Sequence, residues 1–280
     1  MKGDCNLPKQ QAIGMFDSGV GGLTVWQKIS EKIPHEKIIY FGDTARVPYG
    51  GKSSETILRY TLENSFFLME QNIKMLVLAC NTAASFSSEK LKRFFNIPIV
   101  DVIESGVEKV IKTTTTQRIA VLGTKGTIES NIYKNEILKY LPKASIISIA
   151  CPLFVPLVEE HFVNHQATRL VVREYLAPLK GQRIDTLLLG CTHYPLLAPL
   201  IQEEIGSSIE IVDSATSCAE KVMALLKSEN IEEMNRGLKP ETQFYVSDDP
   251  AKFQHFAEHF LGRPLQNVKK ASSVLHTDVR

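Results

Sequence analysis

Short apolar runs recur along the chain, and longer amphipathic stretches separate them. Runs of four or five almost entirely apolar residues are typical of strands that are buried on both faces of a parallel sheet. Most of these runs end at Asp, Gly or Cys. The predicted strands are 12–16, 37–41, 75–79, 97–100, 118–122, 145–149, 186–189 and 209–212.

The stretches between these runs are long enough for crossover helices. Residues 55–68, for example, carry apolar side chains at near-helical spacing. Repeated strand–helix units predict an α/β architecture. Near the C-terminus, 244–250 is interpreted as the last strand leading into a helix start, and 251–261 as a helix that ends at Gly262.

An internal repeat is visible in the sequence. Residues 73–82 align with 184–193 through the shared pattern Ile-x-x-Leu-x-Leu-small-Cys-polar-polar, and 13–18 resembles 119–124 at a similar offset. Buried parallel strands resemble one another in any case, but a Cys at the same place in each half favours a duplication. We therefore expect two similar parallel-sheet α/β domains related by a pseudo-twofold duplication, with the active site in the cleft between them.

The repeat also suggests where the domains divide. A boundary near 101–104 and a return to the first half near 213–218 predict a discontinuous first domain, 1–102 plus 214–280. The second domain is then 103–213. Thr113 to Thr116 is interpreted as an exposed connection.

Composition excludes several classes of protein. The 280 residues are 44% hydrophobic and 22% charged, with a formal net charge of +1, which is ordinary for a globular protein. Balanced charge gives no reason to expect a nucleic-acid partner. No apolar stretch approaches the ~20 residues that span a bilayer, and the N-terminus lacks the apolar core of a secretory signal. We expect a soluble, cytoplasmic protein without a membrane partner.

Five cysteines occur, in an odd number and without C-x-x-C spacing, so neither a disulfide framework nor a zinc ribbon is favoured. Cys5, Cys151 and Cys218 are interpreted as small packing residues. Cys80 precedes a helix-capping pair, and Cys191 precedes a segment with a Pro suited to a first helical turn. Both are therefore expected at helix N-termini, where the macrodipole favours thiolate.

Two thiols at equivalent strand ends have three possible uses. They could form a redox pair, bind a metal together with His193, or act as acid and base on either side of one carbon. The third use fits best with the other residue types at the strand ends. It would serve to invert a stereocentre, which requires removal of a proton from one face and its delivery to the other. Acid–base residue types also follow the strands at Asp17, Asp43 and Glu159.

The segment 17–22 is a Gly-rich turn between a strand and a helix. It is neither a complete dinucleotide fingerprint nor a Walker A loop. Its backbone N–H groups could hold a carboxylate, and Asp17 could attract an ammonium group. The alternative is a tight turn in which Asp17 only caps the helix.

These motifs together resemble the glutamate racemase family of the aspartate/glutamate racemase superfamily. Each motif is moderately specific, but five in this order are highly specific. The matching segments are 14–23 (GMFDSGVGGL), 40–50 (YFGDTARVPYG), 79–83 (ACNTA), 151–159 (CPLFVPLVE) and 190–195 (GCTHYP).

The resemblance implies a cofactor-independent and metal-free interconversion of L- and D-glutamate, which supplies D-glutamate for peptidoglycan. It implies that Cys80 acts on D-glutamate and Cys191 on L-glutamate, with Asp17 and His193 tuning the thiols or pairing with the substrate ammonium. It also implies a homodimer. The positions that match substrate contacts or acidic positions of the family site are Asp17, Ser18, Asp43, Pro48, Tyr49, Gly50, Asn81, Thr82, Glu159, Thr192 and His193.

One departure and two alternatives accompany this resemblance. His161 stands where the family often has Gly, which puts the local turn in question. A second enzymatic hypothesis is racemisation of a related acidic amino acid such as aspartate. A binding module that keeps the fold without catalysis is a third, although binding alone requires neither thiol.

Overall fold

A computed structural model describes residues 9–235, 237 and 240–271, so Cys5 lies outside the described residues. Every predicted strand is present, with bounds that differ from the prediction by at most two residues. The strands are β1 (Ala12–Asp17), β2 (Ile38–Gly42), β3 (Ile73–Leu78), β4 (Ile99–Asp101), β5 (Arg118–Gly123), β6 (Ser145–Ala150), β7 (Thr186–Gly190), β8 (Glu210–Asp213), β9 (Gln243–Val246) and β10 (Val268–Lys270).

Helices connect these strands, and the predicted helices over 55–68 and 251–261 are both confirmed. Two 3-10 helices, Ala177–Leu179 and Tyr194–Leu197, also occur. The α-helices are α1 (Leu23–Lys32), α2 (Ser54–Glu70), α3 (Asn81–Phe94), α4 (Val102–Thr113), α5 (Lys125–Glu129), α6 (Ile132–Tyr140), α7 (Phe154–Glu159), α8 (Gln166–Leu176), α9 (Ala198–Ile205), α10 (Ser214–Ser228) and α11 (Pro250–Leu261).

The described strands form two parallel sheets, which confirms the predicted fold class. The first sheet has the order β10-β9-β2-β1-β3-β4, and the second has the order β6-β5-β7-β8. In the first sheet Phe16 of β1 lies opposite Phe41 of β2 and Leu78 of β3. Helices cover both faces, so β1, β3 and β7 are buried along their whole length.

The two sheets share one strand order. β2-β1-β3-β4 in the first corresponds to β6-β5-β7-β8 in the second, and β9 and β10 extend only the first. This correspondence places β3 and β7, the strands that precede the two thiols, at equivalent positions, as the repeat predicts. The strands of the second sheet all lie within 103–213, although the exact domain boundaries stay a prediction.

Three local features differ from or add to the sequence interpretation. The strand β10 is an addition, because a three-residue strand with one apolar residue gives little hydrophobic pattern. Pro195 lies in the first turn of a helix, as predicted, but this helix is a 3-10 helix and its N-cap is His193, two residues after Cys191. The predicted exposed connection is exposed only at Thr115 and Thr116, because Thr113 is the last residue of α4 and Thr114 is half-buried. Asp185 accepts hydrogen bonds from Thr114, Thr115 and Thr116. Within the described residues, none of the helices has the length and apolar character needed to cross a membrane.

Candidate active site

One cavity of about 450 Å³ lies at the carboxyl ends of both sheets. Its volume falls in the range of about 300–1,000 Å³ that small-molecule sites occupy. It brings together all of the predicted site residues except Asp17 and Asp43. The predicted residues that line it are Ser18, Pro48, Tyr49, Gly50, Cys80, Asn81, Thr82, Glu159, Cys191, Thr192 and His193.

Cys80 ends the loop after β3 and is the N-cap of α3, as predicted. Its side chain is 6% exposed, its Sγ accepts the backbone N–H of Ala83 at 3.5 Å, and it lies 3.3 Å from the Ser18 hydroxyl. Burial, together with the nearby Asp17 carboxylate, raises the pKa of Cys80 to about 12, while the two hydrogen bonds lower it. Burial therefore outweighs the N-terminal effect of α3 and favours the protonated form of Cys80.

Cys191 follows β7 and has a different neighbour. Its Sγ lies 3.8 Å from Nδ1 of His193, and Nε2 of His193 lies 3.0 Å from Oε1 of Glu159. Burial of the imidazole opposes its charged form, but the hydrogen bonds to Cys191 and Glu159 raise the pKa of His193 to about 10. The three residues form a thiol–imidazole–carboxylate chain in which His193 holds a proton next to the sulfur.

The Gly-rich turn lets the first half approach this chain closely. A Cβ on Gly21 would lie 2.3 Å from Oγ1 of Thr192 and 2.4 Å from Nδ1 of His193. The Thr24 hydroxyl donates to the Thr192 carbonyl at 3.0 Å. The absence of a side chain at Gly21 therefore allows contact with the imidazole that serves Cys191.

Asp17 lies behind the cavity lining rather than in it. It is 1% exposed, and its Oδ2 accepts the Gly19 N–H at 2.8 Å. Its Oδ1 has no hydrogen-bond partner among the described residues. Burial raises the pKa of Asp17, and His193 acts in the opposite direction. The cap of α1 is Gly22, without a side-chain bond, so the interpretation of Asp17 as a helix cap is wrong.

Asp43 is fully buried and holds other residues instead of facing the cavity. Its carboxylate accepts hydrogen bonds from Tyr49, from Arg46 at 2.7 Å and from Ser247 at 2.8 Å. The Tyr49 hydroxyl is thus directed at Asp43, and burial raises the pKa of this phenol. The acidic position predicted from the resemblance supports the loop that carries Tyr49 and Gly50.

Asn81 and Thr82, at the start of α3, join the two halves at the base of the cavity. Asn81 donates to the Tyr133 hydroxyl at 2.7 Å, and the Thr82 hydroxyl lies 2.8 Å from that of Thr124. The Oδ1 of Asn81 is buried and has no hydrogen-bond partner among the described residues. These contacts fix α3 of the first half against residues of the second.

Sequence reasoning missed several residues that line the cavity. Thr124 follows β5 at the position equivalent to Ser18 after β1, so the internal repeat could have indicated it. Lys125 is the only lysine or arginine among the described lining residues, and no sequence signal marks it. The added lining residues are Gly19, Val47, Gly51, Thr124, Lys125, Pro152, Val155, Pro156 and Glu160.

Cys151 and Cys218 are fully buried, as expected of packing residues, and burial raises the pKa of both thiols. Across residues 9–235, 237 and 240–271, no three His, Cys, Asp or Glu side chains come together in a way that could hold a metal ion.

Comparison with known proteins extends over nearly the whole chain. A family model described as Asp/Glu/Hydantoin racemase matches residues 22–222. A glutamate racemase from Syntrophus aciditrophicus is 46% identical over 265 residues, which is 95% of this chain and 98% of that protein.

Solved structures agree with the sequence relatives. The crystal structure of a glutamate racemase isoform from Bacillus anthracis has a TM-score of 0.91 and 37% identity, and covers 95% of this chain and 99% of its own. A glutamate racemase from Francisella tularensis, solved in complex with D-glutamate, has a TM-score of 0.88 and 36% identity, and covers 94% of this chain and 98% of its own.

Proposed function

Because the chain belongs to the Asp/Glu/Hydantoin racemase family and interconverts L- and D-glutamate as a glutamate racemase, we propose that it does so with two cysteines. Cys80 and Cys191 exchange protons with opposite faces of Cα, and no cofactor takes part. The observation that carries this proposal is that both thiols, from equivalent strand ends of the two sheets, line one cavity.

The different surroundings of the thiols support the roles that the family resemblance implies for the conversion of L-glutamate to D-glutamate. With L-glutamate, the Cys191 sulfur takes the Cα proton as a thiolate, and the Cys80 thiol delivers its own proton to the opposite face. The products are D-glutamate, a Cys191 thiol and a Cys80 thiolate, and the reverse reaction exchanges these roles. The raised pKa of Cys80 supports its starting role as the acid.

His193 and Glu159 support the other role. An imidazole that keeps its proton up to a pH of about 10 stabilises negative charge on the sulfur 3.8 Å away. General acid–base groups contribute about 10²–10⁴-fold each, so stabilisation of the carbanion must supply much of the remaining rate enhancement. We assign that stabilisation to polar groups that bind the substrate carboxylate.

The buried polar atoms without partners suggest how the substrate is oriented. Oδ1 of Asp17 is an acceptor suited to the substrate ammonium, and the hydroxyls of Ser18, Thr82 and Thr192 are donors suited to carboxylates. Lys125 places a cationic side chain at a cavity that receives an amino acid with two carboxylates. The assignments of Ser18, Thr82, Thr192 and Lys125 follow from their chemistry and their position in the lining, whereas that of Asp17, which lies behind the lining, follows from its buried oxygen without a partner.

Three further parts of the proposal concern the biological setting. D-glutamate made by this enzyme supplies peptidoglycan synthesis, as the family resemblance implies. The thiol chemistry requires a reducing compartment, which supports a cytoplasmic location. The resemblance also supports a homodimer. Sedimentation velocity of the full chain tests this, and a monomer would be the contrary result.

Circular dichroism of glutamate enantiomers tests the two-thiol reaction. Cys80→Ala and Cys191→Ala should each lose at least about 10²-fold in kcat/KM in both directions, because either variant lacks one of the two proton-transfer groups. Cys218→Ala, which removes a buried thiol away from the cavity, should keep most of the activity. A Cys80→Ala enzyme that racemises glutamate at the wild-type rate would falsify the mechanism.

A second comparison separates glutamate from its shorter homologue. Racemisation of aspartate should have a lower kcat/KM than racemisation of glutamate under the same conditions. Equal or greater values for aspartate would contradict the proposed substrate while leaving the two-thiol chemistry in place.

A further inference from the structure

His161 adopts a backbone conformation that suits glycine better than histidine. Its φ is +62°, in the left-handed region, where a side chain crowds the following carbonyl. This explains the departure noted in the sequence, because Gly at this position would adopt the same turn without that cost. Because His161 keeps the turn despite this cost, the contacts of its ring bear on why histidine stands here.

The ring of His161 contacts the C-terminal helix of the first half. Its centroid lies 3.9 Å from that of His259 and 5.4 Å from that of Phe256, with the His161 and Phe256 planes 28° apart. Both partners belong to α11, which is anchored to the first sheet by the buried Phe253 and Ala257. We refer to His161, Phe256 and His259 as the ring clasp, because they join the second half to the first.

The ring clasp lies beside the carboxylate that contacts the imidazole of the site. His161 follows the last residue of α7, Glu159, by two positions, and its N–H donates to the Val158 carbonyl at 3.1 Å. The N–H of Phe162 donates to the Leu157 carbonyl at 2.8 Å. These bonds make the end of α7 and the His161 turn one continuous hydrogen-bonded piece.

The Glu159 side chain needs such a backbone restraint. It is 37% exposed, whereas His193 is 8% exposed, so solvent competes for the carboxylate end of the 3.0 Å contact. An exposed ion pair gains little unless both partners are already held in place. The position of the C-terminal end of α7 therefore determines how often the Glu159 carboxylate contacts the His193 imidazole.

We propose that His161 is a positioning residue for the racemase reaction, holding the end of α7 through the ring clasp so that Glu159 stays on His193. This assignment rests on the proposed function. It explains a residue that the family resemblance does not, and it makes α11, which is distant in sequence from both thiols, part of the support of the Cys191 side.

Charged groups near the clasp must stay constant in a test. Phe256 also lines a cavity of about 240 Å³ next to the active site. The His161 and His259 variants leave all of its charged lining residues in place. These lining residues are Glu159, Glu160, Asp248, Asp249 and Lys252.

The variants separate the ring from the backbone. His161→Gly and His161→Asn both tolerate the left-handed turn but remove the ring, whereas His161→Phe keeps an aromatic ring. We expect the first two to lower kcat for glutamate by about two- to tenfold, the size of one aromatic contact. KM should change less. The kcat of His161→Phe should stay within about twofold of that of wild type.

The pH profile provides a readout that general destabilisation would not move. Loss of the Glu159 contact lowers the pKa of His193, so the basic limb of kcat should move to lower pH in His161→Gly, in the same direction as in Glu159→Gln. His259→Ala should behave like His161→Gly, and the double variant should be no worse than either single variant.

Two controls match these changes. Arg183→Gly places glycine at another exposed, left-handed position of the second half, where φ is +52°. His255→Ala removes an exposed histidine one turn away from His259 on the same helix. Both should leave kcat and its basic limb unchanged.

The outcomes distinguish this assignment from the proposed function. An active wild type with an unchanged His161→Gly variant, or with His161→Phe as impaired as His161→Gly, overturns the positioning role alone. A wild type that leaves the Cα proton of glutamate in place overturns both. Reduced kcat with a shifted basic limb, restored by His161→Phe, supports the assignment.

Discussion

The ends of β3 and β7 occupy equivalent places in the two sheets, yet the cysteines that follow them have different neighbours. The Cys80 sulfur accepts the backbone N–H of Ala83 in α3 and lies next to Ser18 and near the buried Asp17 carboxylate. The pKa of Cys80 is raised to about 12. Cys191 lies next to an imidazole that is paired with Glu159. The duplication places the two sulfurs at equivalent positions, whereas the local residues give them different electrostatic surroundings.

The largest expected effect comes from removing the imidazole of the Cys191 side. His193→Asn should lower kcat/KM for glutamate by about 10²–10⁴-fold, because the group that stabilises the Cys191 thiolate is lost. Ser18→Ala, which removes one hydrogen bond to the Cys80 sulfur, should cost only about two- to tenfold. Equal losses in the two variants would contradict the asymmetry between the thiols.

A smaller effect is expected from the carboxylate behind the imidazole. Glu159→Gln removes the negative charge that helps to keep His193 protonated, so the pKa of His193 should fall below about 10. Activity that requires the imidazolium should then be lost at lower pH than in wild type. At a pH between the two basic limbs, the variant should be roughly tenfold or more less active than wild type. The basic limb of the kcat/KM profile measures this.

The direction of that shift is the critical feature. Since His193 gains its proton affinity from its partners, removing one can move the basic limb only towards lower pH. A basic limb at the wild-type pH in Glu159→Gln would show that this ion pair does not govern the protonation state used in catalysis.

The approach of the first half to His193 can be tested at the glycine that permits it. Gly21→Ala places a methyl group 2.3 Å from Oγ1 of Thr192, so Thr192 or the turn must move. We expect a loss of about 1–3 kcal/mol in the free energy of unfolding, typical of overpacking. Urea unfolding measures it, with Gly51→Ala as the control, because nothing lies within 4 Å of the added methyl group there. Equal stabilities would mean that the close approach is not maintained in solution.

The smallest effects compare two helix caps at equivalent strand ends. Asp101 and Asp213 each cap the helix that follows, α4 and α10 respectively. Either Asp→Ala change should cost about 0.5–2 kcal/mol of stability, with little change in kcat. Asp101→Ala should lie at the upper end, since Asp101 is 2% exposed and also accepts from Ser88. A larger loss at Asp213 would contradict this ranking.

The strand ends and the two thiols could be predicted from the sequence because parallel strands give continuous apolar runs and place their carboxyl ends together. The repeat pointed to Cys80 and Cys191 as equivalent, and the topology agrees. The helix predicted after Cys191 is present, but its 3-10 type could not be predicted, because Pro195 fits the first turn of either kind of helix.

Other parts of the site depend on contacts that no local pattern encodes. Glu159 lies 34 positions from His193, and the contact depends on how α7 packs against the end of β7. Asp43 was predicted to be part of the site, but its burial against Arg46 and Tyr49 could not be read from its place after β2. The clasp between His161 and α11 depends on packing between the two halves.

Proton exchange at Cα in D₂O, followed by NMR for each glutamate enantiomer with the two alanine variants, tests whether each thiol serves one face of the substrate. Cys80→Ala should exchange the α-proton of L-glutamate without forming D-glutamate, and Cys191→Ala should exchange only D-glutamate. Wild type should place deuterium in the newly formed enantiomer. Exchange of both enantiomers by either single variant would show that one thiol reaches both faces of Cα, which contradicts the two-thiol mechanism.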